Sequence, residues 1–389
     1  MVYWVWLVMT IGLNTPRIKE LTECHPDLEE LYYLLHEPNQ KLVTERTRQR
    51  VIRTPLEHAQ AVIDRCKQSG IEIMTWESEN YPEVLRHIYA PPMVLFYQGN
   101  PELLQGDRLL TVVGTRYPSP YSLRVTDYLC DLLTQQGVTL VSGCAVGLDA
   151  VVHSAAVRNG TPTIGVLGCG IDCNYPRKNQ ALKKEMLKNG LLLTEFFPGT
   201  QPYSSNFPIR NRILSGISEA VLVTEAGKKS GCLVTANLAC EQGKTVLCIP
   251  PADILDIRYE GQGGLLRDGA CPVFGVEDIL PVFREQAVIM EPAPVAKKTP
   301  RPEPAPSPVK EPSEPIPEEN QKISAPPEAT PEQQKILELL REGRKTSNML
   351  CNVLNIRYDL LITLLVEMEM LGWIENLDGD VYTLIENTE

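Results

Sequence analysis

Residues 109–116 read Leu109-Leu110-Thr111-Val112-Val113-Gly114-Thr115-Arg116, and residues 138–149 read Val138-Thr139-Leu140-Val141-Ser142-Gly143-Cys144-Ala145-Val146-Gly147-Leu148-Asp149. Each is a short apolar run that ends in a glycine-bearing turn and hands over to a helix-length stretch, 119–136 and 150–159. The alternation continues along the chain. Apolar, β-rich runs at 93–97, 163–167, 191–195, 220–224 and 245–249 are separated by amphipathic stretches at 178–189, 206–215 and 231–242. A nearly unbroken apolar strand is buried on both faces, and strands alternating with helices imply a parallel sheet covered on both sides. The expected class is α/β, a Rossmann-like doubly wound parallel sheet over residues 86–285.

Outward from this core the pattern changes. Residues 1–85 read as helices at 4–12, 15–24, 27–35 and 54–69, with Asp27 and Thr54 as caps and Gly70 as a stop, and predict a small helical, SAM-like domain. Residues 286–329 are a Pro/Ala/Glu/Lys linker, too poor in large apolar side chains to repay their ordering entropy. Thirteen of the 32 prolines lie from Glu291 to Pro331, so the proline excess belongs to this tether and not to the core. Residues 330–389 predict a winged-helix-like module: helices at 331–341, 346–354 and 358–371, then strands at 373–375 and 381–384 about a turn at Asp378-Gly379.

A net charge of −12 argues at first against a polyanionic partner. Divided by region, the objection fails. Residues 1–107 carry 10 Lys and Arg against 15 Asp and Glu, residues 108–285 carry 17 against 16, and residues 286–389 carry 10 against 18. The acidity lies in the flanks, and Arg116, Arg177, Lys178, Arg210, Arg212, Lys228 and Lys229 fall near the predicted strand ends of the near-neutral core. Eleven cysteines without regular spacing, several of them within apolar runs (Cys130, Cys144, Cys232, Cys240, Cys248), read as reduced, buried thiols of a cytoplasmic protein. The apolar opening at 2–13 has neither a basic n-region nor a cleavage site before Arg17, and no stretch approaches the ~20 apolar residues of a membrane span, so no membrane partner is expected.

Ligands of an open parallel sheet bind beyond the carboxyl ends of its strands, where strand order reverses. Five strings fall at such ends. Gly114-Thr115-Arg116 offers close backbone approach and a guanidinium fork, or is a plain strand-ending turn with an exposed arginine. It has no G-x-G-x-x-G and no acidic end to the next strand, so no dinucleotide cofactor is expected. Ser142-Gly143 opens a small-residue turn; Asp149 and His153 are a capping acid and its packed partner, or His153 is the base of a Cys144 nucleophile for which the sequence offers no orienting group. In the string 168–179, Cys169 and Cys173 lack the second ligand pair that zinc would need, so no metal is expected, whereas Tyr175 beside Arg177, Lys178 and Asn179 suits stacking and phosphate contact with a single strand. Arg210, Asn211 and Arg212 form a dense donor array just after an aromatic, and Ser230-Gly231 opens a helix behind Lys228 and Lys229 without the first glycine of a P-loop.

Taken in order, these strings resemble the DNA-processing protein A family (DprA, also called Smf): Gly114-Thr115-Arg116; Ser142-Gly143 with Ala145, Gly147, Asp149 and His153; Asp172, Tyr175-Pro176 and Asn179; Phe207-Pro208 with Arg210-Asn211-Arg212; and Glu225-Ala226 with Ser230-Gly231. The resemblance implies a non-catalytic, homodimeric protein that binds and protects incoming single-stranded DNA and helps load RecA recombinase during natural transformation. It implies DNA contacts from Gly114, Thr115, Arg116, Ser142, Gly143, Tyr175, Arg177, Lys178, Asn179, Arg210, Asn211, Arg212, Ser230 and Gly231. Two positions depart from the family pattern: Cys144 stands where leucine is usual, and Pro251 follows Pro250 where glycine is usual. The C-terminal module, with five basic against eleven acidic residues from Thr330 on, is expected to meet protein and not DNA. The rival from another class is a nucleoside-monophosphate phosphoribohydrolase of the lysine-decarboxylase-like type, with Glu225 as a possible acid but without that family's Pro-Gly-Gly-x-Gly-Thr string.

Overall fold

A computed structural model of the chain describes residues 1–38, 40–283, 330–341, 343–354, 361, 364–365, 368–369, 373–377 and 381–384. The expected linker, most of the helix expected at 358–371 and the turn at Asp378-Gly379 lie outside the described residues. The chain divides into two compact units, Met1–Ala293 and Pro294–Glu389.

The first unit is built on a nine-stranded sheet. Its strands are β1 (Glu72–Thr75), β2 (Val94–Gly99), β3 (Leu109–Val113), β4 (Thr139–Ser142), β5 (Thr163–Val166), β6 (Leu191–Thr194), β7 (Ala220–Val223), β8 (Thr245–Cys248) and β9 (Cys271–Pro272), in the order β1-β2-β6-β5-β4-β3-β7-β8-β9. From β6 to β9 every pairing is parallel; β1 and β2 add an antiparallel edge. Strands β3, β5, β6 and β7 are buried at every position, which is why they appear in the sequence as unbroken apolar runs. All seven strands expected from those runs are present; β1 and the two-residue β9 are additional.

Helices α1 (Val2–Ile11), α2 (Arg17–Cys24), α3 (Leu28–His36), α4 (Glu45–Arg53) and α5 (Leu56–Gln68) precede the sheet, and the short α6 (Glu83–Arg86) follows β1. Asp27 caps α3 as expected, accepting from Glu29 N at 2.9 Å and Glu30 N at 3.1 Å. Residues 1–85 are more than a helical layer, since β1 lies within them and pairs with β2. Trp4, Trp6, Leu31 and Ile63 share one buried cluster with Phe96 of β2 and Leu192 of β6, so this layer closes one face of the sheet. The remaining helices are α7 (Pro120–Gln135), α8 (Leu148–Arg158), α9 (Gln180–Met186), α10 (Asn206–Gly216), α11 (Gly231–Glu241) and α12 (Glu260–Arg267). No helix among the described residues is long and apolar enough to cross a membrane. All eleven cysteines are unpaired; Cys130, Cys144, Cys232 and Cys248 are buried as expected, but Cys240 is exposed because it sits on the outer face of α11.

In the second unit, α13 (Pro331–Arg341) and α14 (Ser347–Leu354) accompany a three-stranded antiparallel sheet of β10 (Lys345–Thr346), β11 (Ile374–Leu377) and β12 (Val381–Leu384), ordered β10-β12-β11. Ile336, Leu340, Leu350, Leu365, Ile374 and Tyr382 belong to its apolar core.

Candidate nucleic-acid interface

The chain leaves β3 for β4 on one side and returns to β7 on the other, so strand order reverses between β3 and β7. The Gly114-Thr115-Arg116 turn lies at this switch point, held from both sides. Thr115 N donates to Glu225 O beyond β7 at 3.0 Å, and Leu148 N at the start of α8 donates to Thr115 O at 3.2 Å. Gly147, with φ +84°, makes the close approach possible: a Cβ there would stand 2.6 Å from the carbonyl oxygens of both Thr115 and Arg116. Arg116 itself is exposed, and its guanidinium carbon lies 5.3 Å from the centre of the Phe207 ring.

Phe207 is the centre of the site. It stands in the first turn of α10, three residues before Arg210 and hence on the same helical face. The Arg210 guanidinium carbon is 5.9 Å from its ring, and the Tyr175 ring is 5.8 Å away at an interplanar angle of 44°. Tyr175 precedes a cis peptide bond to Pro176, and Lys183 Nζ donates to Tyr175 O at 2.5 Å. Arg177 and Lys178 are exposed just beyond. Two half-buried aromatic rings and three exposed cations therefore line the carboxyl edge of the sheet. Phe207 was legible in the sequence as the aromatic of its string, and its helical spacing to Arg210 is the signal that assigns it a place in the site.

Other residues expected at the contact are engaged within the fold. Arg210 is buried: Nη1 donates to Gly143 O at 3.0 Å and also to Val166 O, and Nε donates to Asn211 Oδ1 at 3.1 Å. Burial draws its pKa below the ordinary arginine value, opposed by the nearby charge of Asp149, whose own carboxyl is raised by burial. Ala145 N donates to Asp149 Oδ2 at 3.2 Å. Arg212 turns away from the edge and forms a buried fork on Glu195, Nη1–Oε1 2.5 Å and Nη2–Oε2 2.6 Å, while Nε donates to Ala90 O at 2.8 Å. Its guanidinium is consumed inside the fold. Ser142 Oγ donates to Val112 O at 2.7 Å, and Asn179 Nδ2 donates to Ala145 O at 2.8 Å and Cys144 O at 3.1 Å; both residues are buried. Asn211 Nδ2 reaches Gly231 O at 3.4 Å, tying α10 to the start of α11. Ser230 is the N-cap residue of α11 without a side-chain cap bond, and Gly231 is exposed with open space around it.

The Cys144–His153 pair exists, at 3.4 Å from Sγ to Nε2, and it has an orienting group that the sequence did not reveal. Thr163 Oγ1 donates to Leu140 O at 2.8 Å and therefore accepts from His153 Nδ1, also at 2.8 Å. Nε2 is left as an acceptor for the thiol hydrogen. Burial pushes the Cys144 thiol up to about 12 and pulls the imidazole down to about 3, so the pair is a neutral hydrogen-bonded chain and not an activated nucleophile. Glu225 is equally occupied: its buried Oε2 accepts from Ser119 Oγ at 2.7 Å and Ser119 N at 2.9 Å, organising the first turn of α7. Among the described residues no group of three or more His, Cys, Asp or Glu side chains is gathered as a metal site.

The family model described as DNA recombination-mediator protein A matches residues 72–284. The DNA processing protein DprA of Bacillus subtilis is 38% identical over 227 residues, covering 58% of this chain and 76% of that protein. The crystal structure of DNA processing protein A from Streptococcus pneumoniae is similar with a TM-score of 0.63 and 30% identity over 72% of this chain and 97% of that one. A structure of DNA processing protein A from Helicobacter pylori, described as showing its single-stranded-DNA binding mode, is similar with a TM-score of 0.50 and 29% identity over 55% of this chain and 97% of that one.

Proposed function

Because this chain belongs to the DNA recombination-mediator protein A family, we propose that it is a single-stranded-DNA-binding recombination mediator and that it binds the strand along the Arg116–Phe207–Tyr175 edge. The observation that carries this reading is the arrangement of the exposed Arg116 guanidinium 5.3 Å from Phe207, with Tyr175 5.8 Å beyond, on a carboxyl sheet edge also bearing Arg177 and Lys178. Aromatic faces accept any base and cations follow the backbone, which is the chemistry of sequence-tolerant single-strand binding. In this reading Thr115 and Gly231 let the strand approach, Tyr175 and Phe207 stack bases, and Arg116, Arg177 and Lys178 meet phosphates, while Gly114, Ser142, Gly143, Asn179, Arg210 and Asn211 hold these groups in place and Arg212 serves the fold beneath them. Ser230 borders the same edge. The protein works by binding and not by catalysis, protects incoming DNA during natural transformation, acts as a homodimer in the cytoplasm, and hands the strand to RecA recombinase. The acidic C-terminal module serves as a protein-contact or accessory element.

The test is a salt series. Wild-type affinity for single-stranded DNA should fall with log[salt] at a slope of about −0.7 per neutralised phosphate, and Arg116→Ala should both weaken binding and flatten the slope by about 0.7. Coincident curves would move the site elsewhere. Release of free base from a nucleoside monophosphate would restore the hydrolase reading.

A further inference from the structure

The loop that presents Tyr175 is fastened from both sides. Gly170 N donates to Thr200 O at 2.9 Å, which joins this loop to the one following β6. Asp172 then divides its carboxylate: Oδ1 accepts from Gly199 N at 2.7 Å, and Oδ2 meets Arg65 Nη2 at 2.6 Å. Cys173 N donates to Gly170 O and Tyr175 N to Cys173 O, each at 2.9 Å, so the turn that contains Asp172 leads directly into the backbone that carries the ring. On the far side, Lys183 holds Tyr175 O. Arg65 is the outlier among these partners. It lies near the end of α5, 107 residues from Asp172, and belongs to the helical layer and not to the sheet edge. Gly199 keeps the slot open, since a Cβ there would come within 3.1 Å of Arg65 Nη1.

The Arg65 side chain is 54% exposed, and that of Asp172 25%. An ion pair at such a rim adds little to global stability. What it does is orient: a carboxylate with one oxygen on a backbone amide and the other on a guanidinium has a single setting, three residues before the ring that faces Phe207.

We infer that Arg65 is a positioning residue for the aromatic platform: through Asp172 it sets the Tyr175 ring against Phe207, so that the N-terminal helical layer governs how a single strand stacks without touching it. The inference rests on the reading of this edge as a DNA surface. An exposed arginine also has a simpler use, as a direct phosphate contact, and the two roles differ in what salt does to them. A phosphate contact contributes to the salt slope; a positioning residue does not.

The experiment compares the full-length wild type with Arg65→Ala and Arg65→Lys, using an oligothymidine with one 2-aminopurine whose emission is quenched on stacking. Arg65→Ala should bind about two- to fivefold more weakly, the scale of one rim ion pair, with unchanged salt slope and reduced quenching. Arg65→Lys should recover most of the affinity, because the contact uses a single nitrogen. In the DNA-free chain, Arg65→Ala should also speed hydrogen exchange at the Cys173 and Tyr175 amides while leaving the thermal midpoint near that of the wild type. Unchanged affinity, quenching and exchange would overturn the inference, and so would a slope reduced by about 0.7 with quenching intact, which marks a phosphate contact. A wild-type chain that fails to bind the oligonucleotide would instead overturn the reading of the edge, and exchange at Tyr175 would still decide the role of Arg65 in the loop.

Discussion

Arg212 and Glu195 meet inside the protein through two parallel N–H···O bonds of 2.5 and 2.6 Å, with 6% and 1% of their side-chain surfaces exposed. Both charges are out of water, and each is stable only because of the other. Arg212→Ala should therefore cost about 3–5 kcal/mol in urea unfolding, the usual result of stranding one member of a buried pair. Replacing both, as Arg212→Met with Glu195→Leu, should recover most of that loss. Single-stranded-DNA affinity per folded molecule should stay close to wild type, which separates Arg212 from the exposed Arg116.

His153 supplies a pH signature. Its imidazole is held down to about 3 by burial, with Lys183 and Arg210 adding in the same direction, against an ordinary 6.5. Between these values the unfolded chain binds a proton that the folded chain refuses, so stability is full above 6.5 and declines as pH falls toward 3. From pH 7 to pH 5 the wild type should lose about 2 kcal/mol more than His153→Gln, measured by urea denaturation at each pH. Asp149, raised by burial, bends the curve in the opposite sense but is common to both proteins.

Phe207 should contribute to binding by stacking and not by charge. Phe207→Ala is expected to lower single-stranded-DNA affinity by about 1–3 kcal/mol with an unchanged salt slope, while Phe207→Tyr retains most of it. Fluorescence-anisotropy titrations at two salt concentrations would distinguish this from the Arg116 effect. Loss of slope in Phe207→Ala would mean that the ring serves only to hold Arg116.

Gly147→Ala should damage the site more than the fold. A methyl group there meets the Thr115 and Arg116 carbonyl oxygens at 2.6 Å, and the φ of +84° with ψ −132°, a region used essentially by glycine alone, is itself unfavourable for alanine by about 1–3 kcal/mol. The Gly-Thr-Arg turn must shift to make room. Binding to single-stranded DNA should fall at least tenfold while the sheet remains folded by circular dichroism.

Much of this architecture was legible because physics wrote it locally. Strands buried on both faces leave unbroken apolar runs, and the turns after them hold the site, so β3, β4, β5, β6, β7 and β8 could be located from Leu109, Leu140, Ile164, Leu191, Val221 and Val246 outward. Helix α4 could not. It buries Val51 alone among its nine residues, so no apolar face repeats along it. The roles of Arg116, Arg210 and Arg212 were equally hidden, because three similar side chains near strand ends look alike until their partners are known. Glu195 lies 17 residues before Arg212 on another element, and the carbonyls of Gly143 and Val166 that take Arg210 carry no sequence signal. Thr163 escaped notice for the same reason: a strand residue with an inward hydroxyl looks like any other until the helix above brings a histidine to it.

The bracing of the Gly-Thr-Arg turn by Glu225 on one side and Leu148 on the other bears on which molecule changes shape when protein and DNA meet. A turn whose amide and carbonyl are already engaged loses almost no freedom on contact, so the ordering must come from the nucleic acid. A single strand can bend to a fixed template at small cost. A duplex would first have to surrender base pairs, at roughly 1–2 kcal/mol per step. Preference for one strand over two can thus arise from the stiffness of the receiving surface, with no contact that recognises the absence of the second strand.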